Sequence, residues 1–308
     1  MAQCRLCKRD TVLQESHIIP KFVIRWLKDS SATGYLRASP AINRRSQDGL
    51  KAPLLCADCE GQFSQWESEV AKRIFYPFNK DRPKLLAYGP WLLKFAVSVS
   101  WRSLTHYIDA TSRSEYSEEG LQLIEKALRA WREFLLDRGP HPGPFEQHMM
   151  LLDSIESASS LRNLPPNMNR FMIRGTHMNL VYSQGQPAFM FTKMGRIALF
   201  GFIGIAYPRR WKGTKIHVRE GYVGGDISVP SQLLEYLAEC ARKAHEQYSS
   251  ISPRQQEVIA EALRRNPDRA AASETFEAMD HDIRLFGKTA FLEDDPESEF
   301  ETDSKESR

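Results

Sequence analysis

The sequence predicts an α+β chain: a small cysteine-built module over residues 1–80, followed by helices, an antiparallel sheet and further helices. Three observations predict it. Two Cys-x2-Cys pairs bracket the start of the chain, and apolar residues repeat at helical spacing through residues 90–138. From about 148 to 229 the texture changes to short β-branched and aromatic runs broken by glycine and proline. With 308 residues, 42% of them hydrophobic and 26% charged, there is enough apolar surface for real cores, which excludes wholesale disorder and a single tiny stapled fold.

The module comes first. Cys4-Arg5-Leu6-Cys7 and Cys56-Ala57-Asp58-Cys59 have the spacing with which a tight turn aims two thiolates at one tetrahedral ion. The chain has one other cysteine, Cys240, so four thiols arranged as two such pairs point to structural Zn2+ ahead of four ordinary thiols. A redox pair is the weaker competitor, because redox chemistry needs one pair and not two. The first pair sits in a short turn before an extended stretch, 11–16. The second stands at the entrance of a helix marked by Phe63, Trp66, Val70 and Ile74, which Pro77 is expected to close. A zinc joining a turn to a helix N-terminus describes a treble clef (ββα). Four thiolates leave no open coordination position, so this ion holds the fold and performs no chemistry.

The body, 81–292, follows in order. Pro90 suits a first helical turn, and Leu93, Val97, Trp101, Leu104 and Ile108 form one stripe beside a second made by Leu92, Phe95, Ala96 and Val99. A helix apolar on so much of its circumference is expected to be buried. Leu121, Ile124, Leu128, Trp131 and Leu135 mark the next helix, which opens at Ser117-Glu118-Glu119 and is expected to stop at Gly139-Pro140. The β-rich stretch includes Lys215, His217 and Arg219, which would share one face of a strand as a cationic stripe; the plainer reading is an exposed face. Leu233, Leu237, Cys240, Ala244 and Tyr248 then mark a helix face, and Ser252-Pro253-Arg254-Gln255 reads as a capping box for another helix.

Charge separates the ends. Residues 293–308 hold eight acids and two bases, so against a whole-chain charge of +3 this tail is −6 and the rest +9. The tail is expected to be disordered. A mildly basic body is compatible with a polyanionic ligand and does not demand one. The longest apolar run, 197–206, is about half what a membrane-spanning helix needs, so no membrane partner is expected. Residues 1–20 lack the apolar stretch and cleavage site of a signal peptide, and paired cysteines in an odd total suit a metal site in the cytoplasm better than a disulfide framework.

Ten residues past Cys7 comes Glu15-Ser16-His17-Ile18-Ile19-Pro20, and Leu54-Leu55-Cys56-Ala57-Asp58-Cys59-Glu60 follows later. In order and spacing, residues 1 to about 75 resemble the HNH (ββα-metal) endonucleases, where a Cys-x2-Cys turn precedes an acid-His-Ile-Ile/Val-Pro strand end and a later Leu-Cys-x2-Cys opens a helix. The resemblance implies hydrolysis of nucleic acid phosphodiesters, DNA first among them. It places His17 as the general base and Glu60 as a helix-borne ligand of a second, catalytic Mg2+ or Mn2+. It also implies the setting in which such nucleases are seen, bacterial defence and mobile elements. Two positions depart from the family: Ser16 stands where it has a metal-binding Asp, and Lys51 where it has an Asn. An imidazole suits a base near neutrality, and a carboxylate suits a hard divalent cation. The plainer reading of His17 is a buried histidine bonded to backbone beside the zinc.

Between the two halves of the module lies a long insertion, 37–51, with Arg37, Arg44, Arg45 and Lys51 as its cations and Asp48 as its one acid. Arg44, Arg45 and Lys51 are the candidate phosphate contacts; a solvated loop is the alternative. The remaining histidines are scattered without ligand spacing, and Cys240 reads as packed on its helix face. A second function belongs to a different class: a non-catalytic, zinc-stabilised module that binds nucleic acid or protein. The body would select the substrate, bind a protein partner or carry an activity of its own.

Overall fold

The computed structural model describes residues 2–38, 41–157, 164–204 and 208–290; the acidic tail lies outside them. The chain opens with a hairpin, β1 (Ala2–Gln3) and β2 (Asp10–Thr11), whose connecting turn carries Cys4 and Cys7. Strand β3 (Gln14–His17) leads into α1 (Lys21–Asp29), which Pro20 caps. The insertion forms a second small ribbon, β4 (Leu36–Arg37) with β5 (Arg45–Ser46). It returns as β6 (Lys51–Leu55), antiparallel to β3 with His17 opposite Lys51. Helix α2 (Ala57–Val70) then starts with Cys56 as its N-cap and Asp58 and Glu60 in its first turn, where acids complement the helix dipole.

Pro77 does not end this helix. The chain passes through a π-helical turn, Ala71–Phe75, in which Tyr76 N–H reaches back five residues to the Ala71 carbonyl, and continues as α3 (Tyr76–Asp81). The wider turn accommodates a proline that lacks an N–H and crowds the carbonyl four residues behind it. A left-handed Arg82 ends the run instead.

Strand β7 (Leu85–Tyr88) precedes the helical pair α4 (Trp91–Ala110) and α5 (Glu118–Leu135). Ser117 caps α5 by accepting from Gly120 N–H, as its position predicts, but the helix stops at Leu135, short of Gly139, where Asp137 turns left-handed. Every residue of α4 from Leu92 to Thr105 is buried except Lys94, the environment its double stripe demands.

Strand β8 (Gln147–Leu151) is followed by a short helix, α6 (Met168–Arg174), inside the stretch read as pure sheet. Strands β9 (Thr176–Ser183), β10 (Gln186–Met194) and β11 (Ile197–Phe202) then complete an antiparallel sheet of order β8-β11-β10-β9. Both its faces are covered. Met149, Met190, Ile197 and Leu199 join the core shared with α4 and α5, while Met150, Phe191, Ala198 and Phe200 join a second core with α6 and the later helix bearing Leu233 and Leu237. Alternation along each strand therefore deals side chains to two cores, which is why these strands read as apolar runs. Gly201 marks the closest approach, since a Cβ there would lie 2.6 Å from Ser100 Oγ on α4.

The stretch around Lys215 makes two isolated bridges, Lys215 with His148 and Lys212 with Ser228, and no continuous strand, so the cationic stripe is not formed as a strand face. Its backbone is spent on other elements, with Ile216 N–H donating to the Gln147 carbonyl on β8 and His217 N–H to the Tyr88 hydroxyl on β7. Strand β12 (Gly221–Gly224) pairs with β7. The chain closes with α7 (Gln232–Ser249), α8 (Pro253–Arg265), α9 (Pro267–Ala271) and α10 (Glu274–Phe286). The capping box at α8 is not made either. Asn43 Oδ1 accepts from Ser252 N–H at 2.8 Å, and Gln255 Oε1 accepts from Arg37 at 2.8 Å, so the basic insertion does the capping. No helix among the described residues is long and apolar enough to cross a membrane.

Candidate metal centre and histidine site

The hairpin turn is closed by Cys4 N–H to Arg9 O and Lys8 N–H to Cys4 O, with Lys8 left-handed at φ 67°. It is held on β6 by Arg5 N–H to Leu54 O. These bonds bring Cys4 and Cys7 to Cys56 and Cys59 at the start of α2. All four sulfurs lie within 4.8 Å of one another, and Cys7 Sγ is 3.8 Å from Cys56 Sγ. A tetrahedral ion with metal–sulfur bonds of about 2.3 Å sets its sulfurs about 3.8 Å apart. No cysteine is in a disulfide. The four are thus placed to hold one metal ion, and an all-thiolate tetrahedral set is the chemistry of structural zinc.

The local electrostatics favour a cation. Burial opposes ionisation of Cys7, yet the Arg9 side chain and backbone, with Cys4 and Cys56, bring its thiol down to about 6. Burial and the neighbouring sulfurs push Cys59 the other way. A bound divalent ion resolves that conflict by stabilising every thiolate at once. Arg9 supplies the outer contacts: Nε donates to Cys7 Sγ at 3.4 Å, and Nη2 donates to Cys56 Sγ at 3.6 Å and to Asp58 at 2.6 Å.

His17 ends β3, its side chain 12% exposed, with Nε2 2.7 Å from Asp48 Oδ1. The cross-strand neighbour Lys51 reaches the other oxygen of the same carboxylate at 2.5 Å, and Gly49 N–H donates to Oδ1 at 2.9 Å. Burial works against the charged form of Asp48, but Lys51, His17 and the Gly49 amide outweigh it and hold the carboxyl well below its usual range. The loop has little room to shift, since a Cβ on Gly49 would come within 2.7 Å of Ile24 on α1. The sequence marks Asp48 only as the one acid of the insertion and assigns it no role. Its one local signal was the Ser46-Gln47-Asp48-Gly49 turn placed just before the strand that leads to Cys56.

Glu60 does not join His17. Ser16, the strand neighbour and fully buried, donates its hydroxyl to Glu60 Oε2 at 2.6 Å. Adjacent residues of a strand face opposite sides, so Ser16 with Glu60 and His17 with Asp48 form two separate pairs. Among the described residues the four cysteines are the only group of three or more His, Cys, Asp or Glu side chains close enough to share an ion. The donors do not assemble a ready second metal site around Glu60. Of the candidate phosphate contacts, Arg44 and Arg45 are exposed, Arg45 lying 5.5 Å over the Tyr35 ring, whereas Lys51 is committed to Asp48.

No family model, no curated protein and no solved structure matches this chain.

Proposed function

We propose that the N-terminal module is a zinc-held, HNH-like treble clef that hydrolyses nucleic acid phosphodiesters, with His17 as base. The observation that carries this reading is the 2.7 Å pairing of His17 Nε2 with Asp48 Oδ1. A carboxylate that accepts the Nε2 proton fixes the tautomer and leaves Nδ1 as the proton acceptor. In the step proposed, Nδ1 takes a proton from water as the water oxygen bonds to phosphorus. The ester P–O bond breaks, and the leaving oxygen takes a proton from solvent. Asp48, already anionic, stabilises the imidazolium that forms. Arg44 and Arg45, both exposed, would supply the phosphate contacts, as the resemblance to HNH nucleases suggests.

A second reading is favoured by the internal pairing of Ser16 with Glu60 and of Lys51 with Asp48: the module is a non-catalytic binder of nucleic acid or protein. Cleavage of plasmid and single-stranded DNA, assayed with Mg2+, Mn2+ and Ni2+, separates the two. Under the first reading His17→Ala abolishes cleavage at unchanged zinc content, and Asp48→Asn lowers the rate by about a hundredfold or more, the range of a mispositioned base. Folded protein with one zinc per chain that cuts no substrate sinks the first reading and leaves the second.

A further inference from the structure

We propose that the cleft between the cysteine turn and the α4–α5 pair binds a phosphate-bearing anion. The cleft has a volume of about 210 Å3. Arg5 and Lys8 line it from the turn, Arg129 and Arg132 line it from α5, and a single acid, Asp109 near the end of α4, faces them. Two of the cations are accounted for. Arg5 pairs with Asp109 at 2.8 Å, and Arg132 donates from Nε to the Leu6 carbonyl at 2.5 Å with Nη1 3.4 Å from Glu133.

Lys8 and Arg129 are not. Among the described residues neither side chain makes a hydrogen bond or an ion pair, although the fold brings them together from opposite sides of residue 80. Converging like charges cost energy unless an anion joins them. The negative groups that act on Lys8 through space are Cys4, which belongs to the metal set, and Asp109, which Arg5 already holds at 2.8 Å, so neither pairs with it directly. The Thr105 hydroxyl on the same wall makes no hydrogen bond of its own among the described residues, and Trp101 supplies an apolar floor.

The size and charge select the ligand. Four cations against one carboxylate suit a multiply charged phosphate group better than a singly charged diester, and guanidinium forks match phosphate oxygens. A cleft of this volume admits a phosphate or diphosphate group and no folded macromolecule. The source is either a free oligophosphate or the terminal phosphate of a nucleic acid strand. The site does not depend on the chemistry assigned to His17.

The test is calorimetric titration of the zinc-loaded full chain with inorganic pyrophosphate, and with one oligonucleotide carrying either a 5′-phosphate or a 5′-hydroxyl. Lys8→Gln/Arg129→Gln removes the two unpaired cations and no internal ion pair. It is expected to weaken binding by about tenfold or more, the scale of lost charge-assisted contacts. Arg264→Gln/Arg265→Gln, at exposed positions of α8 outside the cleft lining, is expected to leave pyrophosphate binding unchanged. Should the double variant lose zinc or circular dichroism, Arg129→Gln alone, on an exposed helix position, carries the test. Preference for the 5′-phosphorylated strand identifies the terminal phosphate as the source, and pyrophosphate binding without that preference identifies the free anion. Binding of neither probe, or binding that neither variant at Lys8 and Arg129 weakens, overturns the proposal.

Discussion

His148 and Asp48 show how single side chains write a pH dependence into this molecule. His148, buried on β8, stacks on Phe202 with ring centroids 4.2 Å apart and bonds Thr214 through Nδ1. Its Nε2 lies 3.5 Å from Glu146 without hydrogen-bond geometry. Burial, only partly offset by Glu146, lowers its pKa from 6.5 to about 4. The unfolded chain therefore takes up this proton first, so stability falls as pH drops from about 6.5 to about 4, by about 3 kcal/mol in all. Asp48 acts lower on the scale. Its folded pKa lies beneath the ordinary 3.8, so its contribution is full above that value and is lost as pH falls further. Urea unfolding between pH 7 and 2 is expected to show a slope between about 6.5 and 4 that His148→Phe flattens, while Asp48→Asn changes the slope only below 3.8. A slope unchanged by His148→Phe would show that the ring is not the group being titrated.

At the scale of elements, the helix that carries the metal ligands is fastened to the body by a buried charge. Arg102 on α4 lies 2.7 Å from Glu67 on α2, the two side chains being 1% and 16% exposed, and its guanidinium sits 5.4 Å over the Phe63 ring. The pair is at ion-pair distance, though the Arg102 donors are off hydrogen-bond alignment. Removing one partner strands the other charge, so Glu67→Leu is expected to cost about 3–5 kcal/mol in urea unfolding. Arg102→Met/Glu67→Leu together are expected to recover most of that loss. If the double variant is no better than the single one, packing rather than stranded charge sets the cost. The opposite end of the module is tied by arginines as well. Arg174 donates to the Leu27 carbonyl at 2.7 Å, and Arg269 donates to the carbonyls of Lys28, Asp29 and Ser31, so cations from two distant helices satisfy the C-terminus of α1.

For the whole molecule, the decisive fact is a core that does not stop at residue 80. One continuous cluster contains Cys4, Leu6, Phe63 and Ile74 together with Leu92, Trp101, Trp131 and Met190. The metal set is embedded in that cluster, with Cys4 and Leu6 fully buried. Binding free energy at the thiolates is therefore folding free energy for more than the small module. Stripping the metal with a chelator is expected to lower Tm in a single transition followed equally by far-ultraviolet dichroism and by tryptophan fluorescence. Two separated transitions would show that the module melts by itself.

Much of this was legible in the sequence. The ligand spacing of Cys4, Cys7, Cys56 and Cys59, the double stripe of α4, the Ser117 cap of α5 and the apolar runs of the sheet are short-range signals, each spanning a few residues or a few turns. They determined most of the elements and which four side chains gather to hold a metal ion. Only the tertiary structure placed Asp48 on His17, Ser16 on Glu60 and Asn43 on the end of α8, because each pairing joins residues 31 to 209 positions apart. The antiparallel register that sets His17 opposite Lys51 delivers both side chains to one carboxylate. A partner's identity at that distance follows from register and packing, which no local period encodes.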